Sequence, residues 1–98
     1  MKNKLLEIIN HYGVIPQLKY FQSEVFELTE AILDTQHENN INIAKVPSKK
    51  HLDHIAEEIA DVLVMLEQFR IYYGIDLAEV KRIGKYKINR QMERLKNE

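Results

Sequence analysis

Apolar residues recur at steps of three and four along most of the chain, and the alternation of a half-buried strand is absent, so the pattern predicts helices. Leu5, Leu6, Ile8, Ile9 and Tyr12 mark a short first helix over about Lys2 to Tyr12, which Gly13 is placed to end. Pro16 suits the first turn of a second helix, along which Leu18, Phe21, Val25, Leu28 and Ile32 form a stripe until about Gln36. The segment from Glu38 to Lys49 holds three asparagines and Pro47 without helical period. It reads as a loop longer than bundle helices usually need, as in a long crossover or a mobile cover. Ser48 is a good N-cap for a third helix with the stripe Ile55, Ile59, Val62, Leu63, Leu66 and Phe69, stopped by Gly74. Asp76 and Glu79 have capping-box spacing and open a fourth helix, expected to bury Leu77, Val80, Ile88 and Leu95. Gly84 falls on that stripe, where another helix is expected to cross closely. The expected fold class is all-α, a four-helix bundle of one short N-terminal helix and three longer ones.

Phe26 and Leu33 lie well round from the main stripe of the second helix, as do Val64 and Ile71 on the third. A lone bundle would expose them, so a homo-oligomer, at least a dimer, is expected.

At 98 residues the chain is expected to form one domain, residues 1–98, with a modest core. Hydrophobic residues at 45% and charged residues at 30% place it among globular proteins rather than disordered ones. Fourteen basic side chains against fifteen acidic ones give no general attraction to nucleic acid or to an anionic membrane, and neither is an expected partner. Without cysteine there is no disulfide or thiolate metal site, which suits a cytoplasmic location. Glu7 interrupts the apolar run after Lys2 and Lys4, and no small-residue cleavage site follows, so no signal peptide is expected. The apolar stretch around Ile59 to Leu66 contains Asp61 and is too short to span a bilayer.

The chemistry is carried by two acidic pairs, Glu24-x-x-Glu27 on the second helix and Glu58-x-x-Asp61 on the third, each expected on the flank of its stripe. Carboxylates three residues apart on a helix are neighbours at about 5–6 Å between Cβ atoms, and like charges at that spacing oppose the helix unless solvated or bridged by a cation. Either pair alone is the common solvated face. If the two helices pack antiparallel, four carboxylates converge, and hard oxygen ligands of this kind suit Mg²⁺ shared with substrate phosphates. On the fourth helix Lys87, Arg90 and Arg94 form one basic strip, able to hold phosphate oxygens and equally able to be a solvated face that complements the helix dipole. A ferritin-like di-iron set would need Glu-x-x-His on two helices, and the chain offers only Asp34-x-x-His37. The isolated glycines exclude Walker and Rossmann loops.

The run Glu24-Val-Phe-Glu-Leu-Thr-Glu-Ala-Ile32, followed by Glu57-Glu-Ile-Ala-Asp-Val-Leu63, resembles the MazG-like nucleoside triphosphate pyrophosphohydrolases, and Lys87-Ile-Asn-Arg-Gln-Met-Glu-Arg94 is similar to that family's basic final helix. The resemblance implies a MazG-like bundle assembled as a homodimer or homotetramer. It also implies hydrolysis of a nucleoside triphosphate between the α and β phosphates to a monophosphate and pyrophosphate, in nucleotide-pool housecleaning. It assigns Glu24, Glu27, Glu58 and Asp61 as catalytic Mg²⁺ ligands, with Mn²⁺ as the alternative ion, and Lys87, Arg90 and Arg94 as substrate-binding cations. Ser23 stands where the family places the first glutamate of its doublet, which takes one carboxylate from the set. The alternative is a catalytically weak or inactive module of the same fold that binds nucleotide or a protein partner.

Overall fold

The computed structural model describes the backbone of residues 2–42 and 47–98. Four helices follow in order: α1 (Lys2–Tyr12), α2 (Val14–Asn42), α3 (Lys49–Tyr72) and α4 (Leu77–Lys96), with no strand among the described residues. This bears out the all-α, four-helix expectation.

The punctuation follows the chemistry of the chain. Gly13 adopts φ 92°, a left-handed conformation that closes α1 and admits α2 after a single residue. Pro16 sits in the first turn of α2, where its missing N–H costs no helical bond. Ser48 caps α3 by accepting from the His51 N–H, and Asp76 caps α4 by accepting from the Ala78 N–H at 3.2 Å. Glu79 turns instead to Arg82, whose Nε donates to it at 3.1 Å. After α3, Gly74 takes φ 66° and the Ile75 N–H returns to the Arg70 carbonyl at 3.0 Å.

The expected loop from Glu38 to Lys49 is shorter than the sequence suggested. Helix α2 continues to Asn42, residues 43–46 lie outside the described residues, and α3 begins at Lys49. Between Pro16 and Pro47 there is no glycine or proline to stop the helix, and asparagine disfavours a helical position by only about 0.7 kcal/mol.

Helices α2 and α3 run antiparallel, as their paired positions Gln17 with Gln68 and Glu24 with Glu58 require. From Ile15 to His37, every residue of α2 that is not exposed falls on one row: Gln17, Phe21, Glu24, Leu28, Ala31 and Thr35. The facing row of α3 is His51, Ile55, Glu58, Val62, Met65 and Phe69. Both advance by alternating steps of four and three, the seven-residue repeat of helices packed at a shallow angle. Phe21 and Phe69 meet edge to face across the seam, their ring centroids 5.8 Å apart. Leu5 and Ile9 of α1 close one side of it.

Two expectations about burial are overturned. Leu18, Val25 and Ile32 form the neighbouring heptad row of α2 and are exposed in the single chain, together with Ile59, Leu63 and Leu66 of α3. Helix α4 buries none of its residues, with Ile88 at 64% and Leu95 at 59% exposure, and a Cβ added at Gly84 would meet nothing within 4 Å. No helix of this chain crosses α4 there. The radius of gyration is accordingly 17.1 Å, against about 13 Å for a compact domain of this length. Phe26, Leu33 and Val64 are exposed as expected, whereas Ile71 is half-buried.

Candidate metal centre and adjoining cleft

Among the described residues the α2–α3 seam buries more polar than apolar positions, Gln17, Glu24, Thr35 and Gln68 against Ala31 and Met65, while Leu5 and Ile9 are buried on α1. Thr35 satisfies itself locally, donating to the Ala31 carbonyl at 2.8 Å. The others gather at one region of the seam.

Glu24 and Glu58 stand on the facing rows themselves, not on the flanks where the sequence pattern put them. Carboxylate oxygens of Glu24, Glu27 and Glu58 lie within 4.8 Å of one another. Glu24 is only 5% exposed, the Glu58 side chain 12%, and Glu27 is open to solvent. The Oε2 atoms of both Glu24 and Glu58 are buried without a hydrogen-bond partner among the described residues. The other oxygen of Glu58 lies 3.3 Å from His54 Nε2, one turn earlier. Asp61 is not one of the three, but it lines the same cleft as Glu24.

Burial pushes the Glu24 carboxyl above its ordinary value, a hydrogen bond from Tyr20 opposes the rise, and the charges of Glu27 and Asp61 add to it. Tyr20 is raised in turn, first by the bond it donates to Glu24. Two carboxylates at this separation repel by roughly 3–4 kcal/mol at an effective dielectric constant of about 20. The donor set fits a hard divalent cation. It is all oxygen, its two buried oxygens lack partners among the described residues, and its span matches the oxygen-to-oxygen distance across Mg²⁺ or Ca²⁺, about 4–5 Å from their bond lengths.

A cleft of about 540 Å³ adjoins this cluster, between α1, α2 and α3. Glu24 and Asp61 contribute to its wall together with Tyr20, Gln17 and Gln68, and α1 adds Ile8 and Tyr12. The two glutamines are hydrogen-bonded to each other, Gln17 Nε2 donating to Gln68 Oε1 at 2.8 Å. The sequence pattern did not single out Gln17 or Gln68. The signal was present: Gln17 stands one heptad before Glu24, and Gln68 one heptad after Asp61.

Lys87, Arg90 and Arg94 are not brought to the carboxylates within the chain. All three are exposed on α4, none forms an ion pair with Glu24, Glu27, Glu58 or Asp61 among the described residues, and Arg90 lies over the Tyr86 ring at 5.9 Å. Ser23, beside Glu24, is exposed.

Set against protein-family models, curated proteins and solved structures, the chain gives no match.

Proposed function

We propose that this protein is a divalent-cation-dependent nucleoside triphosphate pyrophosphohydrolase of the MazG-like kind, acting in nucleotide-pool housecleaning in the cytoplasm. The observation that carries the reading is the pair of buried, unpartnered oxygens on Glu24 and Glu58, set in a three-carboxylate cluster beside a cleft. A buried carboxylate oxygen without a partner is destabilising, and natural chains retain such a group where a ligand completes it. Among the described residues no helix is long and apolar enough to cross a membrane.

In this reading Glu24, Glu27 and Glu58 hold Mg²⁺, or Mn²⁺ in its place, and Asp61 completes the acidic wall. The bound cation supplies neutralisation of phosphate charge and a more acidic water. Tyr20 lines the cleft beside Glu24 and tempers the rise of its carboxyl. The water oxygen bonds to the α phosphorus, the bond from that phosphorus to the α–β bridging oxygen breaks, and a carboxylate of the cluster takes the water's proton. Nucleoside monophosphate and pyrophosphate leave. Lys87, Arg90 and Arg94 meet the phosphates from the α4 of a second copy, in a homodimer or homotetramer, since α4 buries nothing against its own chain.

Pyrophosphate release from a panel of nucleoside triphosphates, with and without Mg²⁺, tests the reading. Cation-dependent release that Glu58→Gln abolishes is expected; no release from any nucleotide would sink it.

A second reading, a non-hydrolytic nucleotide-binding or protein-interaction module, is favoured by Ser23, which leaves the cluster without a further carboxylate beside Glu24. Calorimetry separates the two, because a sensor takes up nucleotide with Mg²⁺ and gives no product.

A further inference from the structure

The cleft holds a second chemical element that cation binding does not use. Gln17 and Gln68 are 8% and 3% exposed, and their mutual bond consumes one donor of Gln17 and one acceptor of Gln68. Gln68 Nε2 is left with only the Met65 sulfur at 3.8 Å, a weak acceptor, and Gln17 Oε1 has no bond to another described residue. Donor and acceptor capacity therefore remains on the amide pair in the cleft wall. Exchanging the two amide orientations together leaves the same pair, so the conclusion does not depend on which amide donates. Gln17 Oε1 is not among the buried atoms that lack a partner, so it keeps an accessible acceptor at the wall of the cleft.

The position of the pair relative to the carboxylates is fixed by helix geometry. Gln17 precedes Glu24 by seven residues on α2, and Gln68 follows Asp61 by seven on the antiparallel α3. Each separation is two turns, about 10 Å along the axis. That is comparable to the reach from the α-phosphate of a nucleotide, across its ribose, to the far edge of its base. Between the two ends the cleft presents the ring of Tyr20 and the apolar side chains of Ile8 and Val64.

We propose that this cleft seats the nucleobase of the nucleotide, with the Gln17–Gln68 amide pair hydrogen-bonding the donor and acceptor on the base edge. All common bases carry an adjacent donor and acceptor on such an edge, and a planar heterocycle packs against tyrosine by its face. Base recognition is thus separated from phosphate recognition by two helical turns, and the amides are specificity-determining residues. The inference rests on the nucleotide reading for the class of ligand, not on hydrolysis.

The test uses nucleosides without phosphate, added to the intact protein without metal, while the side-chain amide signals of Gln17 and Gln68 are followed by ¹⁵N NMR. At least one nucleoside is expected to move both signals with a dissociation constant in the range of about 1 mM. The double variant Gln17→Met/Gln68→Met replaces both partners by groups of similar shape, a change that can be nearly neutral for stability. Its affinity for that nucleoside is expected to fall at least about tenfold. Silent amide signals at about 10 mM of every nucleoside would overturn the proposal, as would a folded double variant that binds as well as the parent. If the double variant does not fold, the amide signals of the parent decide alone. Nucleoside binding through the amides with no pyrophosphate release would keep this inference and remove the hydrolase. Equal pyrophosphate release from all bases with silent amides would do the reverse.

Discussion

Glu24 of α2 and Glu58 of α3 bring carboxylate oxygens within 4.8 Å across the helical seam, and each keeps its Oε2 buried without a partner among the described residues. Their mutual repulsion opposes folding, and a cation bound between them would relieve it. Glu24→Gln is therefore expected to stabilise the metal-free protein, by about 1–2 kcal/mol or several degrees in Tm, while abolishing metal-linked activity. Adding Mg²⁺ should raise the Tm of the parent and leave that of the variant in place. Scanning calorimetry with and without the cation checks both halves.

The raised pKa of Glu24 gives a second expectation, with a definite sign. Between the ordinary value of about 4.5 and the higher folded value, the folded state keeps a proton that the unfolded state has lost. Stability of the metal-free protein contributed by this group is full below the unfolded pKa and is lost as pH rises through the folded one. Melting curves of the parent and Glu24→Gln across this window should converge at its acidic end and separate above it, the parent being the less stable. Cation binding should release protons in the same window, which calorimetry in buffers of different ionisation enthalpy measures.

The exposed apolar rows make the assembly testable. Val80, Ile88 and Leu95 on α4, with Val25 and Ile32 on α2, are all exposed, and apolar rows of this kind mark surfaces that pack against a partner. Light scattering at micromolar concentration should return a dimer or tetramer. Ile88→Asp should shift the population to smaller species, because burying an unpaired carboxylate in an apolar contact is strongly unfavourable.

Ile9 has no exposed surface and ties α1 to the seam. Ile9→Ala should lower stability by about 2–5 kcal/mol, measured by denaturant unfolding. Because α1 supplies Ile8 and Tyr12 to the cleft, nucleoside affinity should weaken along with it.

Helix ends were legible because they depend on local chemistry: Gly13, Ser48, Gly74 and Asp76 each act through their own backbone or a side chain one turn away. The facing row of α2 was legible only at Phe21 and Leu28. Leu18, Val25 and Ile32 make a more hydrophobic row than Gln17, Glu24 and Ala31, and periodicity alone points the greasier row inward. The chain turns the polar row inward instead, so the pattern of apolar residues records surfaces that this single chain leaves open. For the same reason Glu24, Glu27, Glu58 and Asp61 were recognisable as one acidic group by spacing, while the burial of Glu24 and Glu58 and the role of Tyr20 beside them needed three dimensions. The unburied course of α4 was illegible too, because its amphipathic pattern is the same whichever chain covers it.

Gly13 is the only residue between the helix that carries Tyr12 and the helix that carries Tyr20 and Glu24. Its φ of 92°, together with the burial of Leu5 and Ile9, places α1 along the cleft. A side chain at this position would strain that torsion even where space allows it, the nearest neighbour of an added Cβ being Pro16 Cδ at 3.6 Å. Relaxing the strain would shift the link to α1, while the carboxylates stay on the α2–α3 seam. The width of the groove and the charge at its end are thus separately adjustable by mutation, one through a backbone angle and the other through side chains.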